Sequence, residues 1–173
     1  MADHAPPSLA DFQRALTPEY LRIQQVLYFA LAMGVATFAG VVAFLYFSQS
    51  GEATDPDTSG LYFITLFHLF LALGLYVAIP FVYRTVLQQA SKADVEAILT
   101  RIRTAEIVRL AMFEGAALFG LVACVIGTTS GAMAAQPIYW GNLFSTFVML
   151  GFVALAFPTQ DRLENIFRTY FLG

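Results

Sequence analysis

The segment that decides the fold is residues 110–127, LAMFEGAALFGLVACVIG, an apolar stretch of helical length that contains one carboxylate, Glu114. A helix needs about 20 mostly apolar residues to span the hydrocarbon core of a bilayer. The segment therefore predicts a membrane-spanning helix with a glutamate inside it. An ionised acid at the bilayer centre costs about 2.5 to 3.5 kcal/mol on insertion scales, so we expect this side chain to face the bundle, find a partner or stay protonated.

Three more segments have the same character. The 173-residue chain is 58% hydrophobic and 12% charged, with a mean hydropathy of +0.68, so it has more apolar surface than a soluble domain of this length can bury. The sequence predicts an all-α fold, a four-transmembrane-helix bundle. The four predicted spans are residues 26–47, 61–82, 107–126 and 138–157.

The basic residues all lie on one side of these spans. The nine Lys and Arg residues precede span one, connect spans two and three, or follow span four, and the other two loops contain none. By the positive-inside rule, both termini and the middle connection are cytoplasmic. The net charge of −3 does not change this expectation, because Asp and Glu contribute little to topology.

Capping patterns predict where helices begin on the basic side. The sequence T-P-E at residues 17–19 predicts a helix start well before the lipid, and S-x-x-D at residues 8–11 predicts a short preceding helix. A second S-x-x-D at residues 91–94 precedes apolar residues with helical spacing that run into span three without a breaker. Spans two and three are therefore expected to form one long hairpin that extends into the cytoplasm.

The chain divides into three predicted parts. Apolar residues with helical spacing after Pro158 indicate a short C-terminal helix in the inner interface. The alternative is that the terminal helices pack on one another. The parts are a cytoplasmic N-terminal segment at 1–17, the transmembrane domain at 18–157 and the interfacial C-terminal helix at 158–173.

The two halves of the transmembrane domain share short patterns. ATFAGVVA at residues 36–43 is similar to AALFGLVA at residues 116–123. One interpretation is a parallel repeat of two hairpins, residues 18–90 and 91–157. The other is chance likeness between apolar helices.

Small residues at four-residue spacing suggest how the spans pack. Span one has Ala32, Ala36 and Gly40, and span three has Ala116, Gly120 and Cys124. Such residues let helix backbones approach closely in lipid, so we predict that spans one and three meet along these faces. The alternative is that Ala and Gly are simply common in membrane helices.

The candidate polar site inside the membrane consists of Glu114, Tyr76 and His68. Tyr76 lies at about the depth of Glu114, so its hydroxyl is expected to donate to the carboxylate, whereas His68 lies about 10 Å nearer the outer face. Arg109 points roughly 140° away from Glu114 around the helix. It is expected to pair with Glu106 instead, at i, i+3 and near water.

Several classes of chemistry have no support in the sequence. The histidines are His4, in the N-terminal tail, and His68, so the chain alone cannot supply two axial ligands to a haem in the membrane or a His-rich metal site. No pairing of nucleophile and base and no phosphate-binding glycine loop stands out. We therefore expect no enzyme activity, no catalytic residues, no metal and no cofactor. The few basic residues are explained by topology, so no nucleic acid partner is expected.

Two segments together resemble a known group of proteins. The run RTAEIVRLAMFEGAALF at residues 103–119, with FPTQDR at residues 157–162, resembles a family of small uncharacterised bacterial four-span membrane proteins. The resemblance implies this fold and a bacterial inner (plasma) membrane, but no activity. The stretch around Glu114 is also similar to the carboxylate helix of rotary ATPase proteolipid subunits. In those subunits the acid lies on the second helix of a hairpin, whereas Glu114 lies on the first, and Gly34 stands at the matching position of the first half.

The sequence favours a non-enzymatic accessory or scaffold subunit of a membrane complex. Its expected surroundings are the lipid bilayer and either a membrane-protein partner or further copies of itself. The alternative function is proton- or cation-coupled, with Glu114 as the group that binds and exchanges the ion.

Overall fold

The computed structural model describes residues 7–48, 58–89 and 94–172, so His4 and Ser91 lie outside the described residues. In these ranges the chain is helical apart from short connections. The helices are, in chain order, α1 Leu9–Ala15, α2 Pro18–Ser48, α3 Ser59–Gln88, α4 Val95–Thr129, α5 Ala132–Ala135, a 3₁₀ segment Pro137–Leu143, α6 Phe144–Leu155, α7 Gln160–Phe167 and a π-helical turn Arg168–Leu172.

Four of these elements are long and apolar enough to cross a membrane. They are α2, α3, α4 and the 3₁₀ segment together with α6, which runs from Pro137 to Leu155. This confirms an all-α protein with four candidate spans. The 35 residues of α4 correspond to about 52 Å of helix, well beyond the roughly 30 Å thickness of the hydrocarbon core. Helices α3 and α4 pack against each other, and both are longer than the hydrocarbon core is thick.

The predicted helix starts are present. The Ser8 side chain accepts from the backbone N–H of Asp11, and the Asp11 carboxylate accepts from the backbone N–H of Ser8, which is a complete capping box. At the start of α2, Thr17 Oγ1 accepts from the Tyr20 N–H at 3.2 Å. Asp94 caps α4 by accepting from the N–H of Glu96 at 3.0 Å. Local side-chain chemistry thus determines where these helices begin.

The terminal helices pack on one another. Phe12 of α1 and Phe167 of α7 are fully buried, with their rings stacked at 4.4 Å. They join Leu87 of α3 and Ile98 and Ile102 of α4 in one apolar core. We call this end of the bundle, where α2 and α4 begin and α3 ends, the basic end. Of the two roles left open for the C-terminal helix, the structure shows packing on the bundle: its Leu163 and Phe167 face this core.

The fourth span differs from the expected continuous helix. Its first seven residues, from Pro137 to Leu143, form a 3₁₀ helix, and only the following 12 residues are α-helical. The side-chain Nδ2 of Asn142 donates to the Tyr139 carbonyl at 3.0 Å, which provides a local alternative to the α-helical backbone ladder. Before this segment, Gly131 turns the chain from α4 into α5 with a φ of 76°, a left-handed conformation that glycine adopts at little cost.

Candidate functional site

The most highly connected polar site in the bundle surrounds Glu106 of α4, of which only 1% is exposed. The Tyr83 hydroxyl of α3 donates to Oε1 at 2.9 Å, and the Tyr28 hydroxyl of α2 donates to Oε2. The Arg109 guanidinium pairs with Oε2, and Nη2 of Arg162 in α7 lies 3.7 Å from Oε1. Each carboxylate oxygen therefore has two partners. We call these five residues the Glu106 cluster.

Arg109 is held by aromatic rings as well as by the carboxylate. Its guanidinium carbon lies 4.4 Å from the ring centre of Tyr83 and 4.8 Å from that of Phe152. Ring faces attract a guanidinium, and the attraction strengthens where water is excluded. The side chain of Arg109 is 14% exposed, and its Nε is buried without a hydrogen-bond partner. Arg109 therefore remains the least satisfied member of the cluster.

The Glu106 cluster joins α2, α3, α4 and α7 through one carboxylate. Since both of its oxygens are occupied by partners from this chain, Glu106 has no open position for a substrate, and its arrangement is that of a buried cross-link. The sequence correctly paired Glu106 with Arg109 at i, i+3. The expectation that this pair lies near water was wrong, because Tyr28, Tyr83 and the α7 helix cover it.

A second polar cluster surrounds His68 of α3, which is 4% exposed. Its Nδ1 lies 3.0 Å from Oδ1 of Asn142 in the 3₁₀ segment. Its Nε2 lies 2.9 Å from Oγ of Ser145 and 3.1 Å from the Ala116 carbonyl of α4. Four helical segments, α3, α4, the 3₁₀ segment and α6, therefore meet at one imidazole.

Both ring nitrogens of His68 face acceptor atoms. The amide Nδ2 of Asn142 donates to the Tyr139 carbonyl and to Thr65 Oγ1, both at 3.0 Å, so Oδ1 is the atom that faces Nδ1. The Ala116 carbonyl, which also only accepts, faces Nε2. The Ser145 hydroxyl beside Nε2 can either donate or accept.

Gly120 permits this arrangement. A Cβ on Gly120 would lie 2.2 Å from the Asn142 carbonyl oxygen and 2.7 Å from Cε1 of His68, closer than real atoms approach. Gly120 therefore packs against α3 and the 3₁₀ segment. The prediction that Gly120 faces span one is therefore wrong. The backbone carbonyl of Ala116, one turn earlier on α4, likewise points to His68.

The other small residues of the predicted face do not form a common ridge. Gly40 is exposed, and no atom lies within 4 Å of the place where its Cβ would be. Ala32 and Ala36 are half-buried, and Ala32 packs beside Tyr28 and Leu110. Helices α2 and α4 do meet, as predicted. The apolar cluster between them includes Val35, Val42, Ala117, Leu121 and Cys124.

Glu114 stands apart from both polar clusters. It is half-buried, and it makes no hydrogen bond or ion pair with any described residue. The expected bond from Tyr76 is wrong, because the Tyr76 hydroxyl is buried without a hydrogen-bond partner. The Tyr76 ring lies against that of Phe113, with the ring centres 5.6 Å apart. Ala111 and Gly115, beside Glu114 on α4, are exposed.

The structure thus places Glu114 apart from the other two predicted polar residues, His68 and Tyr76. His68 and Tyr76 line one cavity of about 350 Å³ between α3 and the fourth span, together with Asn142 and Ser145, whereas Glu114 is not part of its wall. The sequence did not reveal Asn142 and Ser145 as partners of His68. The only signal was the presence of Asn142, Ser145 and Thr146 early in an otherwise apolar span.

Among residues 7–48, 58–89 and 94–172, no three His, Cys, Asp or Glu side chains come together as a metal site would require. No family model, no curated protein and no solved structure matches the chain. The chain is therefore described by its fold, a multi-pass helical membrane protein with four candidate spans.

Proposed function

We propose that this protein is a non-enzymatic accessory subunit that binds a transmembrane helix of a partner protein along the face of α4 around Glu114. The partner helix supplies a hydrogen-bond donor or a cation opposite the carboxylate. The protein lies in a bacterial inner membrane with its basic end, and hence both termini, in the cytoplasm. The distribution of Lys and Arg supports this orientation.

The observation that carries the proposal is the unpaired carboxylate. Acidic side chains within a span are costly and nearly always have partners. Glu106, on the same helix, has four partners, but Glu114 has none among the described residues. Since the described residues do not provide a donor, we expect a neighbouring molecule to supply it.

The surface beside Glu114 suits a close helix contact. Ala111 and Gly115 are one turn apart and both exposed, and no atom of the chain lies within 4 Å of a Cβ built on Gly115. Small residues at this spacing allow two membrane helices to approach closely. Apolar side chains continue the same face toward the end of α4, with Val122 at 46% and Ile126 at 39% exposure.

The proton- or cation-coupled alternative has less support. An ion path needs polar groups that lead to the carboxylate. Neither the Glu106 cluster nor the His68 cluster makes a hydrogen bond to Glu114. We therefore favour a binding role for Glu114.

Co-purification with matched variants tests the proposal. The tagged full chain is extracted from its native membrane in a gentle detergent, and stoichiometric partners are quantified by mass spectrometry for the wild type and for Gly115→Leu. Gly151→Leu is the control, since Gly151 is also exposed on a helix with open space around it. We expect one membrane protein to be lost with Gly115→Leu and retained with Gly151→Leu.

Substitutions of Glu114 determine whether the carboxylate itself matters. Glu114→Leu should release the same partner, whereas Glu114→Gln, which keeps hydrogen-bonding capacity, should retain part of it. Recovery of the wild-type chain alone, or only with copies of itself, would contradict the proposal. Equal recovery of the partner with both glycine variants would contradict it as well.

A further inference from the structure

We propose that the basic end carries a binding site for the phosphate of an anionic phospholipid, formed by Arg84 and Arg109 in a groove between α3 and the fourth span. The apolar wall of the groove receives the beginning of an acyl chain. This site is separate from the Glu114 face, and it does not depend on the proposed accessory role.

The first argument is the charge of the Glu106 cluster. Arg109 and Arg162 share a single carboxylate, and the described residues provide no second acid for either guanidinium. Arginine stays protonated in proteins, so the cluster carries one carboxylate against two guanidiniums, a net charge of +1 when Glu106 is ionised. Both guanidinium side chains are largely buried, with 14% of Arg109 and 22% of Arg162 exposed, and an excess charge on buried groups is costly unless an anion lies close by. The structure therefore favours a negative ligand at this place.

The second argument is the groove beside Arg109, with a volume of about 260 Å³. Arg109 and Arg84 both line it, and Arg84 is exposed and makes no ion pair or hydrogen bond with any described residue. Arg109 contributes a guanidinium whose Nε also lacks a partner. Two guanidiniums that line one groove supply several charged donors, and a phosphate group accepts several charge-assisted hydrogen bonds.

The third argument selects a lipid as the source of the phosphate. The rest of the groove is mainly apolar, formed by Ile79, Pro80, Phe113 and Phe152 together with Tyr83 and Tyr170. Arg84 lies four residues, about 6 Å, before the end of α3, close to the level where the span leaves the hydrocarbon. A headgroup phosphate at this level places its acyl chain along the apolar wall. Basic pockets between membrane helices are suited to such headgroups.

Lipid titration followed by native mass spectrometry tests the site. The full chain is delipidated in mild detergent and titrated with phosphatidylglycerol or phosphatidylcholine of identical acyl chains, in the wild type, Arg84→Gln and Arg22→Gln. Arg22 is the matched control because it is also an exposed arginine at the basic end but does not line the groove. Equal melting temperatures of the three proteins establish that the fold is unchanged.

We expect the first phosphatidylglycerol to bind more tightly than phosphatidylcholine. Arg84→Gln should weaken that binding about fivefold, the usual effect of one basic residue at an anionic membrane surface, and Arg22→Gln should change it less than about twofold. Equal binding of the two lipids, or equal losses in the two variants, would overturn the site. Inorganic phosphate that binds alone and displaces the lipid at equal concentration would overturn the assignment to a lipid.

Discussion

Glu106 and Glu114 are the same residue type on the same helix, eight positions apart, yet their surroundings are opposite. Glu106 is 1% exposed and has two tyrosine and two arginine partners from four helices, whereas Glu114 is half-buried and has no partner among the described residues. An acid in a membrane protein therefore cannot be interpreted from its own helix alone. The first glutamate joins four helices of the bundle, whereas the second has no partner among the described residues, which is why we propose a partner outside the chain for it.

The largest effect is expected from Glu106→Ala. Removing the carboxylate leaves two guanidiniums at the basic end without a counter-charge, and breaking a buried ion pair in this way costs about 3 to 5 kcal/mol. The free energy of unfolding in detergent micelles, measured by denaturant titration, checks this. A loss below about 1 kcal/mol would show that the Glu106 cluster does not stabilise the bundle.

A smaller effect is expected from Tyr83→Phe, with Tyr76→Phe as its matched control. The Tyr83 hydroxyl donates to a carboxylate, so its removal should cost about 1.5 to 3 kcal/mol. The Tyr76 hydroxyl has no well-formed bond, so its removal should change the same free energy of unfolding by less than about 0.5 kcal/mol. Equal costs would remove the distinction between a bonded and an unbonded tyrosine in this bundle.

Glu114→Leu should not destabilise the isolated chain. The substitution removes an unpaired acid from an apolar surface and breaks no bond to a described residue, so the unfolding free energy should stay within about 0.5 kcal/mol of the wild type or rise. The same titration measures it. A clear loss of stability would indicate that Glu114 has an internal role and would weaken the contrast with Glu106.

A third carboxylate, Asp11, gives the smallest expected effect, which depends on pH. Hydrogen bonds from the Ser8 side chain and backbone lower the pKa of Asp11 below its ordinary value of 3.8. A lowered pKa stabilises the folded state at a pH above the unfolded pKa, and this contribution is lost as the pH falls through the folded pKa. The protection factors of the α1 amides, which correct for the pH dependence of intrinsic exchange, should therefore be constant from about pH 7 to 5 and fall below about pH 4. In Asp11→Asn this fall should be absent; if it remains, another group is responsible.

Features that depend on neighbours in sequence were predictable. The four spans follow from runs of apolar residues, and the starts of α1, α2 and α4 follow from capping side chains. The pair of Glu106 and Arg109 was predicted for the same reason, because i, i+3 residues on a helix are neighbours whatever the fold.

Features that depend on other helices were not predictable. The burial of Glu106 requires Tyr28, Tyr83 and Arg162, which lie 78, 23 and 56 positions away in sequence, and no local pattern relates them. The 3₁₀ conformation at the start of the fourth span could not be predicted, because hydropathy does not distinguish a 3₁₀ helix from an α-helix. The prediction that Gly40 packs against span three was wrong, because helical spacing indicates which residues share a face but not which neighbour that face contacts.

The stacking of Phe12 on Phe167 has a consequence for how the protein is made. During synthesis α1 emerges before α7, so Phe12 cannot meet its partner until Phe167, 155 positions later, has been translated. Arg162 reaches Glu106 equally late. Insertion of the spans and closure of the basic end are therefore separate events, and a chain truncated before α7 would cross the membrane but leave its buried glutamate with an incomplete set of partners.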